Sequence, residues 1–202
     1  MSKLQEISSV SVGSEMGAIE AIYRRRAVRS YALKPVARDV VYRLLDAAVH
    51  APTAVHEEPW AFVVIQDRAA LKRLSDDVKR TIRTQERNVH LPGEAEHHFN
   101  MPENVFYDAG TLIVIYGKPM SPFVTADCWL AAENLMLAAC ALGLGTCVIG
   151  LAVSALNDPK WKAAFNVPAG MIAYAPIIVG VPQGEAPASE RRQPEVLSWR
   201  TA

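Results

Sequence analysis

Two six-residue runs, Trp60-Ala61-Phe62-Val63-Val64-Ile65 and Thr111-Leu112-Ile113-Val114-Ile115-Tyr116, are almost wholly apolar at successive positions. Side chains on a strand alternate between its faces, so strands like these are apolar on both sides and need cover on both. This pattern excludes a sheet with one wet face. Residues 172–181 read as a further core strand, interrupted at Pro176, which predicts an edge position or a bulge because proline cannot donate to a ladder. Residues 146–149 read as a short strand.

The covering layers are legible as helices. Ile19, Ile22 and Tyr23 lie at helical spacing and predict a short first helix. Pro35 predicts the start of a second, with Val40, Val41, Leu44, Leu45, Ala48 and Val49 as its stripe, broken at Ala51-Pro52. Asp67 is placed to cap a third, which carries Leu71, Leu74, Val78 and Ile82. A long helix over about 125–142 ends at Gly143, and Ser154 is placed to cap another. Residues 1–13 read as a loose polar lead and 84–104 as a long irregular loop. The polar stretch 182–194 ends on Val196, Leu197 and Trp199, an apolar tip that needs its own domain or a partner subunit to pack against. With no internal repeat and no clear linker, one mixed α/β domain is the expectation from the residues alone.

Half of the 202 residues are hydrophobic, enough for a core without disulfide staples. Lys+Arg and Asp+Glu both number 21, so net charge gives no reason to expect a polyanionic partner. The first ten residues have no apolar core of the kind a signal peptide carries. The most apolar stretch, Ala126 to Leu142, contains Asp127, Glu133 and Asn134, which favours a buried helix over a membrane span. Cys128, Cys140 and Cys147 cannot all pair with one another and lack metal-type spacing. Reduced, buried thiols and a cytoplasmic location are expected.

Four constellations can carry chemistry. Arg25, Arg26 and Arg29 end the first helix; the guanidinium forks match phosphate oxygens, and the plain alternative is a solvated helix end. Arg25 and Arg29 share a face if the helix reaches that far. The segment Ala51 to Trp60 is a small-residue loop before a strand, suited to a ligand or to a simple connection. Gly143 to Gly150 sets glycines on both sides of a short strand, which lets a flat ligand approach the backbone or simply makes a turn. His90, Glu94, Glu96, His97 and His98 lack regular metal-ligand spacing and read as a solvated loop. No nucleophile–base pair stands out, and the cysteines lie in apolar surroundings that disfavour a reactive thiolate.

Taken in order, these segments resemble the nitroreductase family of FMN-dependent oxidoreductases. The resemblance runs from about residue 18 to 199. Arg25-Arg26-Ala27-Val28-Arg29-Ser30-Tyr31 is similar to the family's arginine motif, and Ala51 to Trp60 to its loop before a strand. Asn134 to Thr146 is similar to its long helix and glycine turn, and Arg191-Arg192 stands where a basic residue precedes an apolar tail.

The resemblance implies an α+β fold: a central mixed, mainly antiparallel sheet flanked by helices, with the C-terminal tail exchanged in a homodimer. It implies a single domain over 1–202, with a core of about 18–181 and an extension, 182–202, that wraps the partner. FMN would sit at the subunit interface. Arg25 and Arg29, with Arg26 beside them, would hold its phosphate, completed by Arg191 or Arg192. Pro52, Thr53, Ala54 and His56 would lie along the ring and ribityl chain. Backbone around Val148, Ile149 and Gly150 would contact the ring near N5. NADH or NADPH would supply electrons, and a nitroaromatic or quinone would accept them, with no catalytic side chain and no metal. A flavin-binding sensor or carrier of the same fold is the other reading. Three residues depart from the pattern: Ala27 for the usual serine, His56 for asparagine and Glu58 for glutamine. A carboxylate cannot donate the hydrogen bonds an amide can.

Overall fold

The computed structural model describes residues 16–88, 102–188 and 190–201. The elements are α1 (Ala18–Arg24), α2 (Arg38–Val49), a 3-10 turn at Ala54–His56, β1 (Trp60–Ile65), α3 (Arg68–Asn88), β2 (Thr111–Gly117), α4 (Val124–Ala141), β3 (Gly145–Val148), a 3-10 turn at Gly150–Ala152, α5 (Val153–Leu156), α6 (Pro159–Ala164) and β4 (Ile172–Gly180). The strands form one antiparallel sheet in the order β1-β2-β4-β3. A parallel bridge joins Ala27, which lies outside these strands, to Thr146 of β3. The helices pack on both faces of the sheet, giving the α+β architecture.

Alternation along β2 sets the two cores. Leu112, Val114 and Tyr116 face one side with Leu71, Leu74 and Val78 of α3 and Leu156 and Trp161 beyond it. Ile113 and Ile115 face the other, with Val41, Leu44 and Ala48 of α2 and Ala132, Leu135 and Ala139 of α4. All seven β2 residues are buried. On β4, Ala173 belongs to the first core and Ala175 to the second, although residues two apart normally share a face. The register slips there: Ile115 pairs with Ala175 but Tyr116 with Ala173, leaving Tyr174 as the extra residue of a bulge.

Pro176 therefore sits beside a bulge, as its residue type predicts, but in a central strand and not at an edge. Its carbonyl accepts from the Ile149 N–H at 2.8 Å, so its nitrogen also faces the β3 side. The β3 ladder ends at Val148 paired with Ile177, so the missing donor breaks no ladder bond.

Four other expectations need correction. β1 is an edge strand, mostly half-buried, with Val64 37 % exposed, and is not covered on both faces within one chain. Helix α2 starts at Arg38, not Pro35. The Val36 N–H donates to Thr111 Oγ1 at 3.0 Å and the Val36 carbonyl accepts from Gln66 Nε2 at 2.7 Å. These contacts take both Val36 backbone groups out of any helix. Ser154 makes no side-chain cap; α5 begins one residue earlier, and Asp158 caps α6 through the Lys160 N–H at 2.8 Å. Helix α3 continues to Asn88 because Arg83, Gln85, Glu86 and Arg87 are good helix formers and no proline comes before Pro92.

Local signals hold elsewhere. Asp67 Oδ1 accepts from the Ala69 and Ala70 N–H groups at 2.8 and 3.2 Å. Gly143 ends α4 at φ 73°, where a side chain would strain the turn. Ile19, Ile22 and Tyr23 are exposed, and Ala21 is the buried residue of α1. The lead 1–13 and the cluster His90, Glu94, Glu96, His97 and His98 lie outside the described residues. No helix among the described residues is long and apolar enough to cross a membrane.

Asp77 ties α3 to α6, accepting from Lys160 Nζ at 2.7 Å and Trp161 Nε1 at 3.0 Å and pairing with Arg80 at 2.7 Å. The Lys160 hydrogen bond leads in holding its carboxyl below the usual carboxylate range, against desolvation. A depressed folded-state pKa stabilises the fold above the unfolded-state value, about 3.9, and that stability is lost as pH falls through the folded-state value. Asp77→Asn should lower unfolding stability by about 1–3 kcal/mol at neutral pH. The gap to wild type should narrow as pH falls through the acid range in which folded-state Asp77 takes up its proton, in paired denaturant titrations. A constant gap across that range counts against the ion-pair account.

Candidate functional site

The arginine motif is not helical. α1 stops at Arg24, and Arg25 leaves it at φ −54°, ψ 133°. Ala27 then bridges Thr146, the Val28 N–H donates to the Thr146 carbonyl at 2.9 Å, and Tyr31 bridges Pro182. The segment thus lies along the outer edge of β3. A Cβ at Gly145 would sit 2.8 Å from Val28, so glycine permits this close approach. The proposed shared helix face of Arg25 and Arg29 does not exist, because β3 pulls the chain straight.

The three arginines have different duties. Arg26 Nη1 donates to the Tyr23 and Arg25 carbonyls at 2.6 and 2.8 Å, closing the end of α1. Arg25 has a side chain 24 % exposed and a loose 3.9 Å approach to Glu133 of α4. Arg29 is exposed and lies beside Cys147. Arg25 and Arg26 line a cleft of about 460 Å³ with Cys140, Gly143, Thr146 and Gly184. Arg29, Arg191 and Arg192 do not line it, and the last two are exposed in the tail. A larger cleft, about 560 Å³, runs beside α3 between Gln66 and Asp108 and contains none of the sequence-derived site residues.

The 52–58 loop stands at the other end of α4. Pro52 and His56 are exposed, Thr53 and Ala54 half-buried. Val55, His56 and Glu58 adopt φ of 47°, 56° and 45°. Left-handed backbone at non-glycine residues costs about 1–3 kcal/mol each and persists only where the surroundings enforce it. The Ala54 N–H donates to Asp127 Oδ1 at 3.1 Å, and the Glu57 N–H to the Ala54 carbonyl at 3.1 Å. Asp127 and Cys140 mark the two ends of α4, about 20 Å apart along its axis. Val148 closes β3 and Ile149 follows it, and a side chain at the exposed Gly150 would meet open space, so a flat group can approach the backbone there.

The thiols are poor nucleophiles. Burial, aided by the Asp127 charge, pushes Cys128 up to about 12. Burial also raises Cys147 and the half-buried Cys140, in both cases against nearby arginines. Among the described residues no group of three or more His, Cys, Asp or Glu is placed to hold a metal ion. Asp127 and Glu133 stand beside the candidate site residues and belong to none of the motifs. Asp127 did carry a signal, since a carboxylate in the most apolar stretch of a chain is seldom buried without a purpose.

A helix-flanked antiparallel sheet with an arginine-lined cleft at one end of α4 and a strained loop at the other defines an α+β protein. The nitroreductase family model matches residues 22–181, and the chain belongs to that family. A Methanothermobacter thermautotrophicus protein provisionally named NADH dehydrogenase/NAD(P)H nitroreductase is 28 % identical over 169 residues, 84 % of this chain and 79 % of its own. The 5,6-dimethylbenzimidazole synthase of Rhodospirillum rubrum is 29 % identical over 198 residues, covering 91 % and 89 %. The crystal structure of a Bacteroides fragilis nitroreductase with bound FMN superposes at a TM-score of 0.74 with 25 % identity, covering 92 % of this chain and 98 % of that one.

Proposed function

We propose that this chain is an FMN-dependent oxidoreductase that takes electrons from NADH or NADPH and passes them to an electron-poor acceptor such as a nitroaromatic or quinone. The observation that carries the reading is the arginine cleft together with the strained loop, in a chain of the nitroreductase family. The residues suit the group. Among the described residues Arg25 is held by only one loose contact and can present its fork to a phosphate, while Arg26 adds charge beside it. Flavin, when bound, supplies the hydride and electron chemistry. The protein's part is to bind and orient. Arg25, Arg26 and Arg29, with Arg191 or Arg192, hold the phosphate. Pro52, Thr53, Ala54 and His56 line the ring and ribityl chain, and the Val148–Gly150 backbone meets the ring.

The working unit is a homodimer. The cleft and the loop stand at opposite ends of α4, which supports an interfacial site to which two copies contribute. Leu197 and Trp199 at the tail tip are 89 % and 82 % exposed, so among the described residues of one chain nothing covers the apolar tip. The outer edge of β1 is likewise open. On this reading residues 18–181 form the core of a single domain and 182–202 wrap the partner. The location is cytoplasmic.

The purified protein should be yellow, release FMN on denaturation and lose its visible flavin band when NADPH is added without oxygen. A colourless protein that does not take up added FMN sinks the proposal. The replaced amides, with His56 and Glu58 both at positive φ, favour one further reading, a flavin-binding sensor or carrier. Steady-state NADH and NADPH oxidation with a quinone separates the two: turnover excludes the carrier.

A further inference from the structure

The first residues of the tail form part of the wall of the arginine cleft. The chain leaves β4 tied to the arginine motif. The Ala32 N–H donates to the Val181 carbonyl at 2.9 Å, Pro182 bridges Tyr31, and the Gln183 N–H donates to the Ser30 carbonyl at 2.9 Å. Gly184 then turns at φ 75°, in the left-handed region. Among the described residues from Gly184 onward no backbone N–H donates to another backbone group, so the strap is tied up to Gln183 and untied beyond it. Gly184, Glu185 and Ala186 line the same cleft as Arg24, Arg25 and Arg26, and Glu185 is the one acid among the described lining residues. Arg24 pairs with Glu20 and Arg25 approaches Glu133, but neither of those acids lines the cleft. Glu185 is exposed and pairs with none of the three arginines. A carboxylate and a phosphate seek the same guanidinium forks, and a carboxylate tethered beside them competes at a high effective concentration.

We infer that Glu185 is a tethered competitor that sets the affinity of the arginine cleft for phosphate, and that an anion bound there releases the 184–188 strap. The inference rests on the reading of the cleft as a phosphate site and deepens it, because it ties phosphate uptake to the path of the tail. Without a bound anion, Glu185 is drawn to the arginines and the strap turns inward at Gly184. A bound phosphate satisfies the forks, repels the carboxylate and lets the strap swing away. The coupling is reciprocal, so a partner subunit that holds the tail outward also tightens phosphate binding.

The test uses the full-length protein, with inorganic phosphate and FMN as probes. At low salt Glu185→Gln should bind both about two- to fivefold more tightly than wild type, the size of one exposed ion pair. The gain should fade at high salt, where exposed charges are screened, and Glu185→Asp should behave as wild type. Tail movement is read from the indole N–H NMR signal of Trp199, assigned with Trp199→Phe. Phosphate should shift that signal in wild type. In Glu185→Gln it should already stand at the phosphate-bound position and stay there. Equal affinities in wild type and Glu185→Gln at low salt overturn the competition and leave the phosphate reading standing. A Trp199 signal that ignores phosphate in wild type, or still moves in Glu185→Gln, overturns the release of the strap. If neither probe binds either protein, the phosphate reading of the cleft fails and the inference falls with it.

Discussion

Replacing Arg25 with alanine should weaken FMN binding about 10- to 150-fold. Losing hydrogen bonds between charged groups costs about 1.5–3 kcal/mol, and each 1.4 kcal/mol is a factor of ten. Arg25 is the sensitive position because its neighbours are otherwise engaged. Arg24 pairs with Glu20 at 2.9 Å, and Arg26 spends Nη1 on the carbonyls of Tyr23 and Arg25. Among the described residues Arg25 has only the 3.9 Å contact with Glu133, which is half-exposed and screened. Glu133→Gln removes that competitor and should bind FMN as well as wild type or better. A fluorescence titration at fixed salt reads both variants. Unchanged affinity in Arg25→Ala, with normal folding, would remove Arg25 from the phosphate site.

Leu135→Ala should lower unfolding stability by about 2–5 kcal/mol, the usual cost of emptying a well-packed leucine site. Leu135 is fully buried on α4, in the core shared with α2, β2 and β4. It lies between Asp127, which holds the loop, and Cys140, which lines the arginine cleft. A rigid α4 fixes the spacing between those two features, so the same variant should loosen FMN binding although it touches neither. Paired denaturant curves and flavin titrations test both statements. A variant that loses stability but keeps full FMN affinity would uncouple helix packing from the site.

The strongest local signals in the chain were legible without coordinates. The apolar run of β2, the Asp67 cap, the Gly143 stop and the long helix before it each depend on residues within a few positions of one another. The arginine motif and the 52–58 loop were legible as segments, through their composition and their resemblance to one family. Their shapes were not. Arg25 to Tyr31 is drawn out of the helix by pairing with Thr146 and Pro182, far along the chain. The positive φ angles at Val55, His56 and Glu58 run against residue preference and are held by an aspartate 73 residues from Ala54.

The sequence by itself determined the centres of the main helices and strands and which segments carry charge, because propensity, capping and alternation act over single turns and pleats. Only the tertiary structure decided that β1 is an edge, that Pro176 sits centrally beside a bulge, and that Asp127 meets Ala54. Those outcomes depend on which distant segments pair, and pairing is settled by the joint burial of surfaces that no local window contains.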